Sequence, residues 1–461
     1  MKRNLLFIAL FLFSFGLNAQ LWTQQNTNMT GSTPVGVEEI SIVDSNIVWL
    51  TGFNGATANP RIKALSRTND GGTTWTSGTF TSFGATVYPY VLTAVSYNKA
   101  FCVAMDTVMG GEASFWKTVD GGSTWTIVTG VMNDGTNTFA DGVKFWNNGK
   151  GFCYGDPVNN VFDIYTTADS GATWNKVPGA NISAPLSGEF GYNGFDCASI
   201  VSGGIGFFLT NKGRVYKTTD YGATWAITPT APFTTAATGK IYASSANYVI
   251  IANLASSSSA SYTWKYTTNG GTTWLDYVPT GTFYESSMCY LPGTPNTFVA
   301  SSPFTTSKGI SFSTDGGLSW TDFSDPLLQY QGANIQCLAV NFYNAFIGWV
   351  GNYDTTATIN SILKYNNPNS TFGLFTYISG NDLNIYPNPG NGQVIFAMNG
   401  ANKEDVNIKV FDVTGNMIFE RTLNVNGFSN TSYDFSNLSK GIYIVNISSG
   451  NDSFNKKLVI N

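Results

Sequence analysis

An eight-residue phrase that ends in tryptophan occurs six times in this chain. It reads Ser/Thr-x-Asp-x-Gly-x-Thr-Trp, with Asn269 replacing Asp in the fifth copy and Ser319 replacing Thr in the sixth. Successive tryptophans are 50, 49, 51, 49 and 46 residues apart. A period this steady indicates a repeated unit that buries its apolar face only against its neighbours. The repeated positions are Asp70, Asp120, Asp169, Asp220, Asn269 and Asp315, with Trp75, Trp125, Trp174, Trp225, Trp274 and Trp320.

The side chains of this phrase predict a tight turn. The Asp carboxylate accepts hydrogen bonds from nearby backbone N–H groups, and glycine adopts the positive φ that the bend requires. The tryptophan opens the next strand and is large enough to wedge between neighbouring units. We call these segments Asp turns and expect their role to be structural.

The sequence between the turns alternates apolar residues with Gly and Asn breaks. In the third repeat this pattern predicts strands at Gly142–Trp146, Gly151–Tyr154, Phe162–Thr166 and Trp174–Val177. Each repeat therefore supplies four antiparallel strands, with no helical periodicity. Four-stranded sheets at ~50-residue spacing, arranged radially, describe an all-β propeller.

The two ends of the repeat region predict how the ring closes. After the sixth turn come three more strand patterns, at Ile335–Val340, Phe346–Val350 and Ile362–Tyr365. Leu21–Gln25, near the N-terminus, has the pattern of a fourth strand. Pairing it with the last three strands removes the exposed sheet edges. We therefore expect seven blades, six of them complete and one composite.

The repeated turn resembles the Asp-box, or BNR, repeat of sialidase-like and Vps10-like propellers. The resemblance extends from Leu21 to about Tyr365. It implies the fold rather than the ligand, because the box in that family is a structural turn on the face away from the ligand.

Sialidase activity can be tested against the sequence, because that chemistry requires three arginines that hold the substrate carboxylate. The propeller contains only Arg61, Arg67 and Arg214. Arg67 directly precedes an Asp turn, where other repeats have Lys117 and Lys217, so it belongs to the repeat. Two arginines cannot form the triad, and we reject sialidase. The absence of histidine also excludes the usual nucleophilic triads and nearly every catalytic zinc arrangement.

The N-terminus predicts export. Lys2 and Arg3 precede the apolar stretch Leu5–Leu17, which predicts a signal peptide cleaved between Ala19 and Gln20. No later stretch has the length of a membrane span. Without Lys2 and Arg3 the chain has 21 basic and 28 acidic residues, a net charge of −7 that disfavours nucleic acid as a partner. The five cysteines lie in apolar patterns and are predicted to be small buried hydrophobes. No metal or cofactor is expected.

The last 80 or so residues form a different unit. Alternating strand patterns predict a small Ig-like antiparallel sandwich. Four phrases, Leu383–Pro389, Val406–Gly415, Leu438–Val445 and Lys456–Asn461, resemble the type A sorting domain of the type IX secretion system. The resemblance implies export by that machinery to the surface of a Gram-negative bacterium, or release from it. The expected division is a signal peptide at 1–19, a propeller at 20–372, a linker at 373–381 and a sorting domain at 382–461.

Carboxylates provide the candidate site. Aligning the repeats places Glu38, Asp141 and Asp196 at one position, where the innermost strand of a blade begins. Loops between second and third strands on the same face contribute Asp106, Glu112 and Asp156. Such residues provide either a carboxylate pair for glycoside hydrolysis or oxygen ligands for a cation. The structural alternative is that they are solvated carboxylates capping strand ends.

Two functions remain open at this point. The sequence favours an exported binding module whose ligand is a glycan or a surface protein. The alternative is a propeller-type glycoside hydrolase that uses a carboxylate pair from Glu38, Asp141 and Asp196. A third possibility, an assembly factor similar to the small Asp-box propellers, is disfavoured by the sorting domain. We expect Asp141 and Asp196 not to form a catalytic pair.

Overall fold

A computed structural model describes the chain in segments. The described residues are 22–29, 35–54, 61–108, 112–132, 139–194, 196–234, 238–254, 262–294, 296–304, 307–323, 336–353, 361–366, 383–386, 388–449 and 452–461. Within them the chain is all-β, apart from a 3-10 turn at Gly179–Asn181. The predicted signal peptide and the whole of the predicted linker lie outside the described residues.

The strands of the first half form four-stranded antiparallel sheets in chain order. Strand β1 (Trp22–Asn26) precedes them. Sheet 1 has β2 (Val35–Ile42), β3 (Val48–Asn54), β4 (Arg61–Thr68) and β5 (Thr76–Thr79); sheet 2 has β6 (Val87–Ala94), β7 (Ala100–Asp106), β8 (Ala113–Thr118) and β9 (Thr126–Ile127). Sheet 3 has β10 (Ala140–Phe145), β11 (Gly151–Val158), β12 (Val161–Thr167) and β13 (Asn175–Lys176); sheet 4 has β14 (Ala198–Val201), β15 (Ile205–Leu209), β16 (Val215–Thr218) and β17 (Ala226–Ile227).

The next sheets follow the same plan with one addition. Sheet 5 has β18 (Thr238–Ala243), β19 (Val249–Leu254), β20 (Thr263–Thr267) and β21 (Leu275–Asp276). Sheet 6 has β22 (Thr280–Gly281), β23 (Ser287–Tyr290), β24 (Phe298–Phe304), β25 (Ser307–Ser313) and β26 (Ser319–Asp322). The short β22 adds to sheet 6 by pairing in parallel with β26.

Sheet 7 combines the two ends of the repeat region. Its strands β27 (Gln336–Asn344), β28 (Ile347–Tyr353) and β29 (Ser361–Asn366) come late in the chain, and β1 is the fourth strand. Trp22 lies opposite Tyr365, and their rings are 5.2 Å apart. This is the pairing that the sequence predicts for the N-terminal strand, and it gives β29 a hydrogen-bonded neighbour on its outer side.

Apolar clusters lie between the sheets rather than within them. Each of the seven clusters in this region combines side chains of two consecutive sheets. Trp174 of sheet 3, for example, packs edge-on against Phe101 and Phe115 of sheet 2, with ring centroids 5.5 and 5.4 Å away. The cluster that contains Trp349 and Val37 joins sheet 7 to sheet 1. A single sheet therefore cannot bury its apolar faces alone, as the repeat pattern predicts.

The first strands of the sheets are joined to one another around a central channel. Each of these strands is an edge strand of its sheet, and at four junctions a side chain of one first strand forms a hydrogen bond with a backbone group of the next. The pairs are Ser41 Oγ with Ala94 N (2.9 Å), Thr93 Oγ1 with Val143 O (2.9 Å), Ser199 Oγ with Ala243 N (3.1 Å) and Asn341 Nδ2 with Ile40 O (2.9 Å). The last pair connects sheet 7 to sheet 1.

The Asp turns have the hydrogen bonds that the sequence predicts. In the second turn Asp120 Oδ1 accepts from Thr124 N at 2.9 Å, and Oδ2 accepts from Thr124 Oγ1 at 2.6 Å. Thr118 Oγ1 accepts from Gly122 N at 2.9 Å, and the two turn glycines have positive φ values of 76° and 84°. Hydrogen bonds from Thr124 lower the pKa of Asp120 to about 2.

The cysteine prediction holds for four of the five residues. Cys102, Cys153, Cys197 and Cys337 are buried, whereas Cys289 is half-buried. All five are free thiols.

The C-terminal unit forms its own sheet and core. Its strands are β30 (Leu383–Tyr386), β31 (Gln393–Phe411), β32 (Met417–Asp434), β33 (Gly441–Ser449) and β34 (Asp452–Ile460). They form one hydrogen-bonded sheet of order β30-β31-β33-β34, with β32 paired to β31. Alternate residues such as Ile408, Val445 and Leu458 are buried in a core separate from those of the other sheets.

Candidate functional site

Glu38 and Asp141 occupy equivalent backbone positions. The pairing register of β2 shifts between Val37 and Glu39, and that of β10 shifts between Ala140 and Gly142. Glu38 and Asp141 are therefore the extra residues of two β-bulges, which redirect side chains at the ends of strands. Asp196 lies two residues before β14, at the corresponding end of sheet 4.

Asp141 forms a carboxyl pair with Asp156. Asp141 is buried, and burial and the neighbouring Asp156 raise its pKa well above the usual range. Burial also raises the pKa of Asp156 to about 6, although Asp156 Oδ1 accepts a hydrogen bond from Gly191 N at 3.2 Å. Because the charge of Asp156 disfavours ionisation of Asp141, we infer that the two carboxyls hold one proton between them. The prediction of a loop position for Asp156 is wrong, because it lies within β11.

Asp196 is held by the neighbouring sheet. Its Oδ2 accepts a hydrogen bond from the Tyr242 hydroxyl at 2.6 Å, and its backbone oxygen accepts one from Ile241 N at 2.7 Å. Burial raises the pKa of Asp196, while the charges of Lys240 and Lys144 act in the opposite direction. Asp141 and Asp196 thus have different partners, Asp156 for the first and Tyr242 for the second.

Glu38 belongs to a partly exposed cluster with Arg61 and Tyr90. Arg61 Nε lies 3.3 Å from Glu38 Oε1, and the Arg61 guanidinium stacks 3.8 Å from the centre of the Tyr90 ring. Tyr90 is itself the bulge residue of β6. Desolvation raises the pKa of Glu38 to about 7, although Arg61 opposes the shift. We call these three residues the Arg61 cluster.

Asp106 and Glu112 flank the connection from β7 to β8. Asp106 Oδ1 accepts a hydrogen bond from Val108 N at 3.0 Å, which lowers the pKa of Asp106. The Glu112 side chain is exposed, and its backbone oxygen accepts a hydrogen bond from Asp106 N at 3.1 Å. The expectation of solvated carboxylates at strand ends fits these two residues. It does not fit Asp141, which is buried.

The three arginines lie in three separate environments. Arg61 is part of the Arg61 cluster. Arg67 Nη1 donates to Tyr97 O at 2.6 Å, in the turn that joins the first two strands of sheet 2. Arg214 forms a two-point ion pair with the buried Glu189, at 2.9 Å from Nε and 2.7 Å from Nη2. This placement is consistent with the rejection of a sialidase triad.

A cavity of 440 Å³ occupies the central channel. One strand of each of the seven sheets contributes to its lining, namely β2, β6, β10, β14, β18, β23 and β27. It extends to the turns between first and second strands, where Asn148, Gly203 and Pro292 line it. Because antiparallel strands alternate in direction, these turns lie at the same end of the sheets as the Asp turns. The sequence reasoning placed the ligand at the opposite end.

Three charged residues line this cavity, and two of them were missed by the sequence reasoning. Glu39, Lys144 and Asp196, which we call the channel triad, come from sheets 1, 3 and 4. Glu39 is only 2% exposed, and its Oε2 accepts a hydrogen bond from Leu92 N at 2.7 Å. Burial raises the pKa of Glu39 well above its usual range, with Lys144 acting in the opposite direction. The available signal was a second charged residue in each of two first strands, directly after Glu38 in β2 and three residues after Asp141 in β10.

The described residues contain no group of three or more Cys, Asp or Glu side chains placed to hold a metal ion. Within them, no helix is long and apolar enough to span a membrane.

Comparison with protein families finds a match for each of the two parts of the chain. Residues 99–355, more than half of its length, match the family described as photosynthesis system II assembly factor YCF48. The chain belongs to the YCF48 family. This membership confirms the predicted β-propeller fold. Residues 384–461 match the secretion system C-terminal sorting domain, which confirms the predicted type IX sorting domain and indicates export to the cell surface or beyond it.

Solved structures with a similar fold include other members of the YCF48 family. The structure described as YCF48 bound to D1 peptide has 15% identity and a TM-score of 0.47, over 76% of this chain and 96% of that chain. YCF48 from Cyanidioschyzon merolae has 14% identity and a TM-score of 0.46, over 75% and 99%. The GH74 xyloglucanase from Xanthomonas campestris has 12% identity and a TM-score of 0.44, over 82% and 59%. No curated protein matches the chain.

Proposed function

We propose that this chain is an exported binding module that acts at the cell surface or in the medium. In this proposal residues 20–372 form a closed seven-bladed propeller, which the signal peptide at 1–19 and the sorting domain at 382–461 deliver. A linker at 373–381 joins the propeller to an Ig-like sandwich. The joining of β1 to β29 and the Asn341–Ile40 hydrogen bond support ring closure.

The observation that carries the proposal is the channel cavity with the channel triad in its wall. Its volume of 440 Å³ lies within the range of ligand pockets, which is about 300–1,000 Å³. Charged groups inside a propeller channel are costly unless they are paired or bind something. Lys144 interacts with both Glu39 and Asp196, so the triad offers a cation and two acidic groups to an entering ligand.

A polypeptide is the ligand that we favour over a glycan. The YCF48 family is described as an assembly factor, and assembly factors act by holding other proteins. Because the sorting domain directs this chain outward, its protein ligand would belong to the cell envelope or the cell surface. An extended peptide segment offers both N–H donors and C=O acceptors, which match a wall containing a lysine and two carboxyls.

The glycoside hydrolase alternative has less support. It requires two carboxyls ~5–5.5 or ~6.5–9.5 Å apart on either side of the substrate. Asp141 instead shares a proton with Asp156, and Asp196 accepts a hydrogen bond from Tyr242. Glu38 has the raised pKa of a general acid, about 7, but it forms an ion pair with Arg61, and the carboxyl that interacts with it, Glu39, is the next residue of the same strand.

Peptide and glycan arrays probed with the full exported chain test this proposal. Peptides derived from envelope and surface proteins should bind, and Lys144→Met should weaken the captured peptides at least about tenfold. Lys212→Met removes the same charge outside the channel lining and should leave affinity unchanged. Equal affinity of Lys144→Met and the wild-type chain would exclude the channel. Release of reducing ends from a polysaccharide, abolished by Asp141→Asn, would instead support the hydrolase.

A further inference from the structure

The four phrases that identify the sorting domain converge at one end of its sheet. Phe411, at the end of β31, lies opposite Ile444 of β33, and Ile444 lies opposite Lys457 of β34. The turn that follows β31 begins with Asp412, whose Oδ1 accepts from Thr414 N and Asn416 N, both at 2.9 Å. Segments far apart in sequence are thus adjacent in space.

The first phrase is attached to the last one through the side chain of Asn388. Asn388 Nδ2 donates to Lys457 O at 2.6 Å, and Asn388 Oδ1 accepts from Val459 N at 2.9 Å. Gly390 N donates to Val459 O at 3.0 Å. These bonds fix the final strand against the start of the unit, so all four phrases build a single rigid end of the domain.

This end presents apolar side chains to solvent. Ile442 and Ile444 on the outer face of β33 are 47% and 37% exposed, and Met417, opposite Phe411, is 51% exposed. Val459 lies opposite Ile442. Residues directly opposite on one face of a sheet have Cβ atoms ~4.5–5.5 Å apart, so the patch is continuous across four strands. We call it the outer patch. Contiguous exposed apolar surface of this kind marks interaction sites.

The rim of the outer patch is basic. Lys457 is exposed beside Ile444, and the exposed Lys440 comes directly before β33. The acidic groups at this end already have partners: Asp412 accepts hydrogen bonds within its own turn, and Glu420 forms an ion pair with Lys409 at 3.3 Å. A complementary surface would therefore be apolar in the centre and acidic at the edge.

We propose that the outer patch is the surface by which the secretion machinery recognises this chain, and that it docks on an apolar, acid-rimmed surface of one protein of that machinery. The unit matches a sorting domain, whose role is to be recognised, and the phrases responsible for the match build this end. The patch residues keep their exposure in the presence of the whole chain, so the described propeller does not cover them.

Export of a double variant tests the proposal. Ile442→Thr with Ile444→Thr keeps β-branched residues, and hence strand propensity, while it removes apolar surface. In a cell with a type IX system, the ratio of external to periplasmic chain should fall at least about tenfold, as expected for loss of a central apolar contact. Lys457→Glu should lower the same ratio by a smaller factor, because it opposes the acidic rim.

The matched control removes similar exposed apolar groups from the propeller. Leu275 and Val278 are 50% and 76% exposed, and Leu275→Thr with Val278→Thr should leave export unchanged. The melting temperature of the purified double variant of the patch should equal that of the wild-type chain. Normal export of that variant overturns the proposal. A large drop in its melting temperature also overturns the proposal, because the chain itself would then cover the patch. A wild-type dimer that the variant dissociates overturns it too, because a second copy of the chain would then cover the patch.

Discussion

Two groups of carboxylates in the propeller have opposite electrostatics. Those of the Asp turns accept hydrogen bonds from their own turn, and the pKa values of Asp120 and Asp169 fall to about 2. Those around the channel and the bulges are desolvated, and the pKa values of Asp156 and Glu38 rise to about 6 and about 7. The same chemical group is therefore structural where local donors surround it. Where burial dominates, desolvation disfavours the charged form and raises the pKa of the group towards neutral pH.

This difference indicates where function lies. Raised pKa values are concentrated at functional sites, although structural networks also produce them. The Asp turns share one backbone hydrogen bond in all six repeats, from the residue before the tryptophan to Oδ1 of the Asp or Asn. The bulge and channel residues differ from sheet to sheet, and only Glu39, Lys144 and Asp196 also line the cavity.

The largest effect on the free energy of unfolding is expected from the removal of Glu189, a buried carboxylate that forms an ion pair with Arg214. Glu189 is held by Arg214 and by Thr210 Oγ1, which donates at 2.6 Å. Glu189→Ala leaves the Arg214 charge without its partner, which should destabilise the fold by about 3–5 kcal/mol. Urea unfolding of the full chain measures this change. A loss below about 1 kcal/mol would mean that the pair contributes no more than an exposed salt bridge does.

The Asp turns should be less sensitive. Asp220→Ala removes the acceptor of Thr224 N and of Thr224 Oγ1, which lie 2.9 and 2.7 Å from the carboxylate. Because water can reach these donors, we expect a loss of about 1–2 kcal/mol in urea unfolding. Peptide binding should be unchanged. A variant with normal stability and lost binding would place the Asp turns in the binding site.

The carboxyl pair predicts a stabilising substitution. The pKa of Asp156 in the folded chain is about 6, above the value of ~3.9 for an unfolded aspartate. The folded chain therefore binds more protons between these pH values, and the pair's contribution to stability is lost as pH rises through about 6. Asp141→Asn keeps a donor to Asp156 that cannot ionise.

Thermal melts at two pH values measure this effect. At pH ~7.5 the melting temperature of Asp141→Asn should exceed that of the wild-type chain by about 2–4 °C, and at pH ~4 the two should coincide. Asp106→Asn is the control, because Asp106 lies at the end of β7 and its pKa is lowered rather than raised. A lower melting temperature of Asp141→Asn at both pH values contradicts a shared proton.

The smallest effect on stability is expected at the fifth Asp turn, which has Asn269 in place of an aspartate. Asn269 Oδ1 accepts from Thr273 N at 3.0 Å, and Asn269 Nδ2 donates to Thr273 Oγ1 at 2.9 Å. Asn269→Asp keeps the first bond and reverses the second, because the threonine hydroxyl can donate instead. At pH ~7 the melting temperature should change by less than about 2 °C, and stability should become sensitive only to acid.

The architecture could be predicted because it depends on local chemistry that repeats. The six turns, their glycines and their tryptophans identify the unit, and Trp22 identifies the strand that joins sheet 7. The site was less predictable for a geometric reason. A β-bulge at Glu38 alters the register of β2, so that the neighbouring Glu39 lines the cavity. An alignment of the repeats that does not allow for this bulge selects Glu38 instead of Glu39 as the residue facing the channel.

The partners of the carboxyls depend on distances that a sequence does not contain. Asp141 and Asp156 both occur in the predicted set, but their contact arises from two bulges on neighbouring strands. Lys144 lies in the same strand as Asp141, and nothing in the local sequence relates it to Glu39 in another sheet.

Titration of individual carboxyls tests the two-group division most directly. The full exported chain can be labelled with ¹³C at the aspartate carboxyl carbons, and signals can be assigned from Asp120→Asn, Asp169→Asn and Asp156→Asn variants. NMR spectra should then show Asp120 and Asp169 titrating at a pH of about 2 and Asp156 at about 6. If all three titrate together near ~4, as exposed aspartates do, the division between turn and channel carboxylates is contradicted.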